Sequence, residues 1–288
     1  MFTSCKNQTP QPSDSFAEAQ DVGLLDFDNL KEISGITPSM NVKDSYWLHN
    51  DGGDKSRIFL YNNIQKDIKE FNIPLAQNRD WEAIAITNLQ DGSYLYLADI
   101  GDNNQSYEEY CIYRIKEPTQ IDVLGGAHDL TNVEKISFRY PDGSKDSECL
   151  LIDHVTKDIF IITKRDLKQR IYKLPYPQNS TKTITAEFIQ EVSFSESINQ
   201  AFYITDGNIS INNDEVLVKN YFQVFHWRKS PNESLIEVFK RSPTLLPYQV
   251  EPQGEALCFD TYQNGYFTVS EESDRKVPVH LYYYPRKK

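Results

Sequence analysis

The chain is poor in several residue types that mark common chemistries. Only two methionines, three tryptophans and five histidines occur among 288 residues. No run of 18 apolar residues exists, so no segment is built to cross a bilayer as a helix. The four cysteines never take C-x-x-C spacing, which leaves a structural zinc site without its usual frame. There is no G-x-S-x-G elbow to support an α/β-type hydrolase, and no helical heptad pattern. Positive charge is scarce: 30 Lys and Arg stand against 42 Asp and Glu, for a net charge of −12. A nucleic acid or an anionic membrane surface would be repelled by such a chain. A cation site is compatible with it, and so is a merely soluble acidic surface.

In their place stand 18 tyrosines and 15 phenylalanines in short runs rich in β-branched residues, which favour sheet over helix. One such run, D-W-E-A-I-A-I (Asp80 to Ile86), has acids at its entrance. It recurs with the Glu in register at K-E-I-S-G-I (Lys31 to Ile36), S-E-C-L-L-I (Ser147 to Ile152) and G-E-A-L-C-F (Gly254 to Phe259). A fifth copy, D-G-N-I-S-I (Asp206 to Ile211), places Gly207 at the Glu position. Irregular repeats longer than about 40 residues suggest propeller blades rather than a helical solenoid.

Each Glu run is followed by a second apolar run that ends in polar residues, at Tyr46–Asp51, Tyr94–Asn103, Ile159–Asp166, Val216–Tyr221 and Tyr266–Glu272. Turns such as Q-D-G-S, N-N-D and Q-N-G precede three of these, which is hairpin chemistry. Third strands start at Arg57, Cys111, Arg170, Gln223 and Val279. Fourth strands follow at Ile68–Ile73, Val133–Tyr140, Glu187–Val192 and Ile236–Lys240. The fifth unit has no fourth strand after it, and V-G-L-L-D-F (Val22 to Phe27) can supply one. The expectation is an all-β fold, a β-propeller of five four-stranded blades with its ring closed by the N-terminal strand. Six blades is the alternative, with a degenerate blade inside Thr119–Asn132 or Asn179–Gln200. Glu117–Asn132 is read as a loop.

Residues 1–20 read as a flexible tether and 21–288 as a single propeller domain. F-T-S-C-K followed by N-Q-T-P-Q-P-S-D-S resembles the end of a bacterial lipoprotein signal in which Cys5 would be acylated. That reading places the protein in the cell envelope, periplasmic or on the outer surface, touching a membrane only through Cys5; a cytoplasmic protein with a frayed start is the alternative. Cys111, Cys149 and Cys258 read as buried thiols, with a Cys149–Cys258 disulfide open if the chain is exported. Nothing suggests an oligomer, and a monomer is expected.

First strands line a propeller's channel, so Glu32, Glu82, Glu148 and Glu255 should form a carboxylate ring near one mouth. Asp51, Asp99, Lys164, Lys219 and Glu271 should lie towards one end of the channel. Converging carboxylates need a cation, basic neighbours or protonation, and oxygen donors in number favour Ca²⁺ over zinc. D-I-G-D-N-N (Asp99 to Asn104) adds Asp99, Asp102 and Asn103 to Glu82 and Glu148 as metal ligands, without the frame of an EF-hand. The bland counterpart is that such acids accept backbone N–H groups of the neighbouring blade. Among the histidines only His49, in H-N-D-G-G, sits in a channel-facing loop, which makes it and Glu82 the catalytic candidates.

E-I-S-G-I-T-P-S, H-N-D-G-G, D-W-E-A-I-A-I, L-Y-L-A-D-I-G-D-N, Y-P-D-G-S-K-D-S-E-C-L-L-I-D, I-I-T-K-R and Q-G-E-A-L together resemble the motif series of exported bacterial propeller proteins. The series is similar to the SdiA-regulated family and, more distantly, to the esterase-like phytase domain. The resemblance runs from about Glu32 to Tyr284 and implies a β-propeller associated with calcium binding. It does not fix an activity. Three readings follow: a binding protein whose mouth holds Ca²⁺ and a polar ligand, a glycan or a peptide; a metal-dependent hydrolase of a phosphoester, ester or lactone; and a protein-interaction scaffold.

Overall fold

Alternating side chains give each strand two faces, and here both faces are needed. The computed structural model describes residues 11–288 except 14, 127, 167, 195–199 and 273–275, so Cys5 lies outside the described residues. The alternating runs pair into five antiparallel sheets. Blade 1 contains Ile33–Pro38, Ser45–Asn50, Arg57–Asn62 and Asp67–Asn72. Blade 2 contains Trp81–Leu89, Gly92–Asp99, Tyr110–Lys116 and Val133–Arg139. Blade 3 contains Ser147–Ile152, Ile159–Thr163, Gln169–Leu174 and Glu187–Val192. Blade 4 contains Ile204–Ile209, Glu215–Asn220, Val224–Arg228 and Thr244–Leu246. Blade 5 contains Gly254–Phe259, Gly265–Ser270 and His280–Pro285, and its outer strand is Gln20–Leu24 from the start of the chain. Each inner strand packs beside the next, and that of blade 5 packs beside that of blade 1. The protein is a five-bladed β-propeller.

Its core is a set of five layers, one between each pair of neighbouring blades. Trp81 is fully buried in the layer between blades 1 and 2 with Trp47 and Phe71, and its indole N–H donates to the Gln77 carbonyl at 3.0 Å. Cys149 belongs to the layer between blades 3 and 4 and Cys258 to that between blades 5 and 1, so both are free buried thiols and the disulfide does not form.

Three expectations change. Ile236–Lys240 is not a strand: Leu235–Val238 is a helical turn capped by Ser234, whose hydroxyl accepts the Glu237 N–H at 3.3 Å, and Thr244–Leu246 is the outer strand of blade 4. Leu235 and Val238, three apart, are the buried pair, a helical spacing that a short alternating run conceals. Inside the loop read at Glu117–Asn132, Gln120–Leu124 is a helical turn closed by a capping box between Thr119 and Asp122. Residues 11–19 are not free tether, because Gln11–Pro12 pairs with Thr244–Leu246 and Phe16 is fully buried between blades 4 and 5. Neither long insert holds a sixth blade among the described residues: Asn179–Gln200 contributes Ile184–Thr185 to the edge of blade 2 and Glu187–Val192 to blade 3.

Candidate site at the channel mouth

A β-bulge interrupts the first hairpin of every blade, and the unpaired residues are Ser34, Glu82, Glu148, Thr205 and Glu255. This is the true repeat register. Glu32 lies two residues before its blade's bulge and is exposed, while Gly207 lies two residues after Thr205. Three blades therefore bring a carboxylate to the bulge, and blades 1 and 4 bring a hydroxyl. Antiparallel pairing sets the start of each first strand beside the end of the second, as in Trp81 opposite Asp99 and Gly254 opposite Ser270. Both groups of polar residues thus share one mouth.

At that mouth Asp51, Asp80 and Glu82 bring carboxylate oxygens within 4.8 Å of one another. Two glycines make the approach possible. A Cβ on Gly101 would overlap Glu82 Oε1 and Asp80 Oδ2, and one on Gly52 would overlap Asp80 Oδ1. Burial raises Glu82 well above the ordinary carboxylate range, and Asp51 adds repulsion. Burial also lifts Asp51 to about 7 against the lowering effect of the Gly52 N–H, with Asp80 and Glu255 adding repulsion. It lifts Asp80 to about 6, aided by Asp146 and Asp99. Glu271 is likewise raised, by burial and then by Glu255 and Asp51.

The D-I-G-D-N loop serves this cluster through Gly101 rather than through its oxygens. Asp99 accepts the Asp80 N–H at 3.1 Å and lies 3.4 Å from Arg79 Nε. Asp102 accepts from the Ser106 and Tyr107 N–H groups and the Tyr110 hydroxyl, and Asn103 Oδ1 accepts from Arg165. Those three oxygen donors close loops and do not join Glu82. Glu148 Oε1 is ion-paired to Lys164, while its Oε2 has no hydrogen-bond partner among the described residues. Lys219 is buried at the junction of blades 4 and 5, where it donates to Thr205 Oγ1 at 3.1 Å and to the Gly254 carbonyl. Asp206 Oδ2 accepts the Leu257 N–H at 2.8 Å, the blade-to-blade clip anticipated for some of the acids. Glu255 accepts the Tyr221 hydroxyl at 2.7 Å.

His49 is not in a loop facing the channel. It lies within the second strand of blade 1, one residue before its end, fully buried under Gly35 and edge-on to Trp81, and burial lowers it to about 4. It is a neutral packing residue.

Sequence reasoning did not name Asp80 as a ligand, although D-x-E at the head of the strand was the available signal. It also missed a cleft of about 550 Å³ beside the mouth, bordered by Lys164, Arg165, Tyr203, Tyr221, Phe222, Glu251 and Gln253. No periodic signal marks that cleft, because its residues come from loops of three blades.

Fold and mouth together define a β-propeller with an acidic channel entrance. No family model matches the chain, and no curated protein matches its sequence. Among solved structures it is similar to the major allergen Mala s 1 of Malassezia sympodialis, at 9% identity over 93% of this chain and 95% of that one, with a TM-score of 0.58. It is also similar to a luciferin-regenerating enzyme, at 10% identity over 93% and 94%, with a TM-score of 0.51. A calcium-binding regucalcin of Agrobacterium tumefaciens strain C58 aligns over 97% of both chains at 9% identity, with a TM-score of 0.48. Identities this low show the propeller fold alone.

Proposed function

We propose that the channel mouth binds a divalent cation, Ca²⁺ by its chemistry, together with a polar ligand, in an exported propeller protein of the SdiA-regulated kind anchored through Cys5. The observation that carries the cation reading is the approach of Asp51, Asp80 and Glu82 within 4.8 Å. Three carboxylates offer hard oxygens in number, which suits Ca²⁺ with its roughly 6 to 8 oxygen ligands and not zinc. A cation would also offset the burial and mutual repulsion that raise these three carboxyls. Calorimetric titration with Ca²⁺ tests this. Binding that is lost in Glu82→Gln and Asp80→Asn supports the site, and absence of heat together with an unchanged melting temperature refutes it.

A hydrolytic use of the same mouth is the second reading: a cation held by Asp51, Asp80 and Glu82 would polarise a phosphoester, ester or lactone and activate water beside these carboxylates. Turnover of generic phosphoester, ester and lactone substrates, compared between the wild type and Asp80→Asn, decides that reading. Equal rates remove Asp80 from any mechanism.

A further inference from the structure

The 550 Å³ cleft beside the acidic trio has the size of a small-ligand site. Lys164 belongs to its wall, and its ammonium is ion-paired to Glu148 of the mouth, so the cleft adjoins the mouth. Tyr221 and Phe222 supply flat apolar surface, and Phe222 is 49% exposed. Glu251 borders the cleft and is 95% buried; its Oε2 accepts from the Tyr248 hydroxyl at 3.2 Å, and its carboxyl faces Thr268 and the Lys219 ammonium. Gln253 gives its amide N–H to Glu271, which leaves its carbonyl oxygen to accept.

Charge narrows the ligand. Arg165 and Lys164 are already paired to Asp146 and Glu148, so an anionic ligand would meet carboxylates without free cations. The Arg165 guanidinium covers the Tyr203 ring, 5.3 Å from its centroid, which leaves Tyr221 and Phe222 as the aromatic surface for a ligand. Hydroxyl groups both donate and accept, which suits a buried carboxyl group and an amide oxygen, and the C–H face of a sugar ring suits an exposed aromatic.

We propose that this cleft is a carbohydrate subsite that seats a neutral sugar ring on Phe222, with its hydroxyls at Glu251 and Gln253. The proposal rests on the reading of the mouth as a polar-ligand site and names the ligand class. The test is calorimetric titration of the full chain with a panel of neutral oligosaccharides (glucans, mannans, galactans and N-acetylglucosamine oligomers), with Ca²⁺ and again with a chelator. The expected result is binding by one class, weakened about tenfold in Phe222→Ala and in Glu251→Gln, with the Ca²⁺ titration of Phe222→Ala unchanged. The proposal is overturned if no neutral oligosaccharide binds under either condition, if Phe222→Ala binds as wild type, or if an acidic oligosaccharide or polylysine takes the cleft instead. Loss of Ca²⁺ binding with sugar binding retained would refute the cation reading alone. Phe222 is exposed, so its replacement leaves the fold intact, and unchanged melting temperatures confirm this for both variants.

Discussion

Two glycines decide how closely the mouth carboxylates approach. Gly101→Ala would set a methyl group against Glu82 Oε1 and Asp80 Oδ2, spreading the trio without removing any charge. The expected outcome is a loss of Ca²⁺ affinity of about 10- to 100-fold, as for other residues that support metal ligands, measured by calorimetry. The protonation states carry a second prediction. Asp51 and Asp80 have folded values of about 7 and about 6, above the unfolded values near about 4. The stability they contribute is complete below the unfolded value and is lost as pH rises from about 4 to the folded values, about 6 for Asp80 and about 7 for Asp51. The chelated protein should therefore lose melting temperature over that interval, and excess Ca²⁺ should flatten the loss. His49 acts in the opposite sense: held near 4 in the fold, it contributes stability above its unfolded value near about 6.5 that is lost as pH falls through 4. Asp80→Asn should reduce the loss between about pH 4 and 6 and leave the His49 contribution in place.

At the scale of elements, the inner strands were legible because each buries both faces, which leaves dense apolar runs between turn signals. Trp81→Ala empties a fully buried position in the layer between blades 1 and 2 and should destabilise the fold by about 3 to 5 kcal/mol in denaturant unfolding. What the sequence concealed has a physical cause. A bulge adds a residue that no letter marks, so aligning on Glu placed Glu32 and Gly207 in a register that pairing assigns to Ser34 and Thr205. Leu235–Val238 alternates too briefly to separate helix from strand. At the candidate site Glu82, Glu148 and Glu255 were legible through repetition. The partners that distinguish them were not, since Lys164 pairing with Glu148 and Tyr221 pairing with Glu255 depend on where loops fall after the ring closes.

At the scale of the whole molecule, ring closure joins the two ends of the chain. Gln20–Leu24 pairs with His280–Pro285, and Phe16 lies against Tyr266 at 5.1 Å, with the Arg286 guanidinium 4.5 Å from its ring centroid. Phe16→Ala should destabilise by about 3 to 5 kcal/mol, and a chain lacking residues up to Leu24 should lose its single sharp melting transition in calorimetry. The same pairing sets the order of events during folding. His280 and Asp21, whose side chains meet at 2.8 Å, are separated by 259 residues, so this contact forms only after the last strand has left the ribosome. Until then Gln20–Leu24 has no partner, an unpaired edge exposed while the strands of the four intervening blades are made.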